Sequence, residues 1–171
     1  MPQIRRAAAA LLLSLAAGAT SWAAEPSGCD KFKWDIARER AALTSADRKT
    51  LDSGAEIAAL PASGLLLTLY PFADAKLPTT PERSPREGTF AGFTRMTAAP
   101  KAGVYTVSLS AAAWIDLIQD GTTLRPIAFS GATDCDGIRK TVKYELAGQP
   151  FVLQVSGAPQ AEISVAILPA E

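Results

Sequence analysis

The chain has 171 residues, 17 of them basic and 17 acidic, and no histidine. Without histidine the histidine-based zinc sites, the two-histidine-one-carboxylate iron site and every triad that uses histidine as base are excluded. Without Arg5 and Arg6, which fall in the expected signal peptide, the chain carries 15 basic and 17 acidic residues, and this net charge of −2 argues against nucleic acid or an anionic membrane as a partner held by bulk charge.

Met1 to Arg6 carries Arg5 and Arg6 and no acid, Ala7 to Ala17 is apolar apart from Ser14, and Ser21-Trp22-Ala23 places small residues at the two positions a signal peptidase reads. This pattern predicts a cleavable secretory signal peptide over residues 1–23, with cleavage after Ala24 as the alternative. The apolar run is shorter than the roughly 20 residues a spanning helix needs. No second apolar span follows, so the mature chain is expected in the periplasm without membrane insertion.

Cys29 could in principle be a lipidated first residue. A lipoprotein signal, however, puts Leu, Val or Ile three residues earlier, where this chain has Pro26. The remaining reading pairs Cys29 with Cys135 as a disulfide, since an even cysteine count in an oxidising compartment implies a bridge. Two free buried thiols are the alternative.

Taken in order, "KFKWDI" (31–36) alternates, with Phe32, Trp34 and Ile36 on one face, and reads as a strand. "ARERAAL" (37–43) favours a short helix. "GLLLTLY" (64–70) reads as a buried strand, and the stretch 71–87, with Pro78, Pro81 and Pro85, as a surface connection. Strands follow over 89–96 and 104–110. In "AWIDLIQDGTTLRPIAF" (113–129), Asp120-Gly121 between two β-prone runs predicts a two-residue hairpin turn. Pro126 marks the second strand as an edge or a bulge. Further strands are predicted over 138–146, 151–157 and 162–168.

Eight or nine short strands with turns every 8–12 residues predict an all-β, antiparallel, jelly-roll-like β-sandwich with a short N-terminal helical segment. Residues 24–171 are the length of one ordinary domain, with no internal repeat or boundary.

"GVYTVSLSAAAWIDLIQDG", "DCDGIRKTVKYEL" and "FVLQVSG" resemble, in order and spacing, an uncharacterised family of small periplasmic proteobacterial proteins. Some of its members carry a homogentisate 1,2-dioxygenase label, which a chain without histidine does not support. Gly-x-Tyr-x-Val-x-Leu with a late Phe-x-Leu-x-Val-x-Gly is also similar to pre-peptidase C-terminal β-sandwich modules. That likeness implies an accessory binding domain, in some cases calcium-bound.

Three constellations could carry chemistry. Bridging the cysteines would gather Asp30, Asp134 and Asp136 from two loops, three hard oxygen donors that begin a calcium site. The alternative is solvated turn residues balanced by Arg139 and Lys140. Among the aromatics Trp34, Tyr70, Tyr105, Trp114 and Tyr144, an exposed ring could stack on a sugar, with Trp114 and Trp34 the candidates. In strands, though, such residues usually pack in the core. Arg38-Glu39-Arg40 with Asp35 reads as a solvated helix face. No nucleotide loop and no catalytic spacing stand out. The expected function is a non-catalytic binding or accessory module meeting an envelope protein or glycan. A histidine-free hydrolase working through carboxylates is the alternative.

Overall fold

A computed structural model describes residues 24–98 and 100–171. The expected signal peptide over 1–23 lies outside the described residues. The β-prone runs form β1 (Lys49–Asp52), β2 (Glu56–Ile57), β3 (Leu65–Thr68), β4 (Tyr70–Pro71), β5 (Phe90–Met96) and β6 (Gly103–Leu109). After these come β7 (Trp114–Gln119), β8 (Thr122–Thr123), β9 (Ala128–Gly131), β10 (Lys140–Leu146), β11 (Phe151–Ala158) and β12 (Glu162–Pro169). One sheet has the order β1-β3-β12-β6-β10-β9; the other has β2-β5-β11-β7-β8, with β4 also paired to β5.

Four antiparallel pairs are nested along the chain: β7 with β8, β6 with β10, β5 with β11 and β3 with β12. Successive pairs fall in opposite sheets. The chain is therefore one long hairpin rolled into two facing layers, the jelly-roll form of sandwich. At the margins β1–β3 and β2–β5 run parallel, because the chain changes sheet on passing from β1 to β2 and back to β3.

The alternation of the strands sends one set of side chains between the layers. Leu67, Val107, Leu109, Leu117, Leu153, Val155 and Val165 are all inaccessible to solvent there. Each such side chain contributes about 1.5–3 kcal/mol by leaving water. Tyr105 and Tyr144 are core residues whose hydroxyls donate to Lys101 O (2.8 Å) and Ile115 O (3.1 Å). Burial pushes the Tyr144 phenol well above its ordinary range, with the nearby charges of Asp116 and Glu82 adding to it.

The hairpin expected at Asp120-Gly121 is present. Both residues have positive φ (48° and 73°), and Gln119 pairs with Thr122 across the turn. The following run does not continue as one strand. It breaks at Arg125-Pro126 into β8 in one sheet and β9 at the edge of the other.

A second, smaller apolar cluster lies outside the sandwich, on the outer face of the β12-containing sheet. Here α1 (Ala37–Thr44) buries Ala42 and Leu43 with Ile36, Cys135, Ile138, Ala166 and Leu168, and Phe32 and Trp34 pack against them. The Asp35 carboxylate opens the helix by accepting the Ala37 N–H (2.9 Å). Gly64 lets α1 approach: its φ is +67°, and a Cβ there would lie 2.7 Å from Ala42 O.

The strand expected over 31–36 is not formed. Cys29–Lys31 is a 3-10 turn, and Lys33 N–H bonds the Ser130 side chain (2.9 Å) in place of a neighbouring strand. The alternation of Phe32, Trp34 and Ile36 therefore reports a buried face without strand pairing.

Cys29 and Cys135 form a disulfide across 106 positions of sequence. Such a bond accords with an oxidising compartment. Beside it Ser27 forms a parallel bridge with Thr133, through Gly28 N–H to Thr133 O (2.9 Å) and Thr133 N–H to Pro26 O (2.8 Å). Glu25 pairs with Arg139. No helix among the described residues is long and apolar enough to cross a membrane.

Candidate functional site

The outer face of the β12-containing sheet carries a recess of about 130 Å³, lined by Trp34, Asp35, Arg38, Glu39, Thr106, Lys143 and Glu171. Strand alternation explains the contributions from the sheet. Tyr105 and Val107 point into the sandwich, so Thr106 points out, and Lys143 does the same between Val142 and Tyr144. Glu39 comes from α1, where Ala42 and Leu43 at i+3 and i+4 share its face and draw it against the sheet.

Glu39 is only 5% exposed, and its Oε1 accepts the Thr106 hydroxyl at 2.8 Å. Its Oε2 has no hydrogen-bond partner among the described residues. The half-buried Trp34 forms one wall, with the Lys143 ammonium 4.6 Å from its ring centroid. The Trp34 Nε1 is buried without a hydrogen-bond partner among the described residues. Arg38 pairs with Glu171 at 2.5 Å. These two charges cancel, leaving two carboxylates, Asp35 and Glu39, against one ammonium.

The expectation of a solvated Arg38-Glu39-Arg40 face holds only for the arginines. Arg38 pairs with Glu171 and Arg40 Nε donates to Asp136 O (2.6 Å), whereas Glu39 is buried. The available signal was its place on the Ala42–Leu43 stripe.

Trp114, the other stacking candidate, lies on the outer face of the second sheet. Its Nε1 donates to Asp116 Oδ1 (2.8 Å), and Gln154 Nε2 donates to Asp116 Oδ2 (3.1 Å). Gln154 Oε1 in turn accepts the Thr79 N–H and hydroxyl, each at 3.3 Å, so the proline-rich connection is tied down over this face. Lys140 and Arg83 stand 5.0 and 6.0 Å from the Trp114 ring centroid. Burial holds Lys140 below its ordinary pKa, and the charges of Arg83 and Arg139 lower it further.

Asp116 is 1% exposed. Burial raises its pKa above the ordinary 3.8, against the lowering effect of the Trp114 and Gln154 hydrogen bonds. Trp114→Phe removes one of those donors, so Asp116 is expected to titrate still higher in that variant. A carboxyl whose folded pKa is raised costs stability as pH climbs from the unfolded value through the folded one. The stability deficit of Trp114→Phe should therefore be larger at neutral pH than near pH 3. Carboxyl ¹³C titration checks the first statement and unfolding at two pH values the second; an unchanged Asp116 midpoint would refute both.

The disulfide brings the backbones of Asp30, Asp134 and Asp136 to one corner. Asp30 pairs with Lys31 at 2.6 Å, which lowers its pKa. Asp134 accepts from Ser27 (2.6 Å) and Thr133 (3.1 Å), which lower its pKa likewise. Asp136 is exposed. Among the described residues no three Cys, Asp or Glu side chains converge as metal ligands. Tyr70 is exposed at 44%, in β4.

Comparison of the chain with protein-family models, with curated proteins and with solved structures finds no match.

Proposed function

We propose that this chain is a non-catalytic binding or accessory module of the cell envelope, exported to the periplasm, that takes a small polar ligand or the end of an envelope glycan or protein in the recess beside Trp34. One observation carries the reading. Glu39 is buried but makes a single protein hydrogen bond, and its second oxygen lines a recess walled by an aromatic ring. That oxygen is reached from the recess, so a ligand's donor can bind it in place of water. The likeness to pre-peptidase C-terminal modules points the same way. The alternative hydrolase is less well supported, because both Asp116 oxygens already accept hydrogen bonds from Trp114 and Gln154.

The test uses the ¹⁵N-labelled chain beginning at Ala24. The Trp34 Nε1–H resonance is followed while glucose, N-acetylglucosamine, glucosamine and propylammonium chloride are added in turn. A saturable shift with at least one probe is the expected result. No shift with any of the four would overturn the assignment of this recess as a binding site.

A further inference from the structure

Resting on that reading, we propose that the recess selects a primary ammonium group, with the ammonium on Glu39 Oε2 and the carbon skeleton against Trp34. Three independent features agree. The first is the free oxygen of Glu39, a residue 95% removed from solvent by its 5% exposure. A charged N–H donor is the strongest complement to such an oxygen. The second is the indole ring, whose face already accepts a cation, the Lys143 ammonium at 4.6 Å from the centroid. The third is the charge of the lining. Once Arg38 and Glu171 neutralise each other, Asp35 and Glu39 face Lys143 alone, so one further positive charge balances the site.

Lys143, over the Trp34 ring, is then the neighbouring cation that repels the incoming one. At about 130 Å³ the recess admits an amino group and a few carbons, which fits the tip of a larger molecule or a small amine. Primary ammonium groups occur both on amino sugars and on alkyl amines, and the two probes glucosamine and propylammonium separate these sources.

The four-probe titration, at matched ionic strength, is repeated in Glu39→Gln and Lys143→Met. In the unsubstituted chain one or both amines should bind at least about tenfold more tightly than glucose and N-acetylglucosamine, the margin of a single charge-assisted hydrogen bond. Glu39→Gln, which can still accept from Thr106, should abolish that margin. Lys143→Met should tighten amine binding several-fold by removing the competing cation. If Glu39→Gln does not fold, the Lys143→Met arm decides alone. Binding of neither amine more tightly than of N-acetylglucosamine, or weaker amine binding in Lys143→Met, overturns the ammonium selectivity and leaves the recess a binding site. The absence of any Trp34 response overturns the site itself.

Discussion

Replacing Cys29 and Cys135 together by Ser is expected to lower the stability of the folded chain by about 4–5 kcal/mol, the chain-entropy value for opening a loop of roughly a hundred residues. The bond joins positions 106 apart, and the unfolded chain without it gains all the freedom that closure removed. For a domain of this size, each kcal/mol corresponds to about 2–4 °C, so the melting temperature should fall by about 8–20 °C. The folded architecture should survive, because the same corner is held by the Ser27–Thr133 bridge and the Glu25–Arg139 pair. Thermal unfolding followed by near-ultraviolet dichroism reads both points. A melting temperature within 2 °C of the unsubstituted chain would contradict the structural role given to the disulfide.

Trp114→Ala is expected to destabilise by about 3 kcal/mol, at the low end for truncating a large aromatic because the ring is half-buried. Part of the loss is the contact of the ring with the Lys140 ammonium and the Arg83 guanidinium. The rest comes from Asp116, whose Oδ1 loses its donor while remaining buried. Gln154→Leu should add little on top of Trp114→Ala, since the two donors serve one carboxylate and their effects are coupled. Denaturant unfolding of the two single variants and the double variant measures this. Strict additivity would show that Asp116 does not link them.

The strands that carry the core were legible where local chemistry and tertiary demand agree. Asp120-Gly121 requires positive φ and was read as a turn; "GLLLTLY", "FVLQVSG" and "EISVAIL" are apolar runs long enough to cross a layer. β1 and β2 were not legible. "KTLD" and "EI" are short and largely polar, and what makes them strands is a parallel partner elsewhere in the chain. "KFKWDI" erred in the opposite sense: alternation reveals which side chains are covered, and says nothing about whether a neighbouring backbone is present to pair. Trp34, named as a stacking candidate, lines the recess. Glu39, Thr106 and Lys143 were not legible as its lining, because they meet only through the packing of α1 on the outside of a sheet.

The nesting of strand pairs sets an order in time. β7 and β8 can close at once across Asp120-Gly121, but each outer pair must wait for a longer intervening segment, and the outermost joins Leu67 to Ile163. Loop closure of that range is slow, and it cannot begin before the final strand has been made. Until then "GLLLTLY" lacks its β12 partner and keeps one β-prone edge open to partners on other chains. The molecule is therefore most exposed to aggregation as a nearly complete chain, and arrival of β12 between β3 and β6 ends that exposure for both sides of the sheet together.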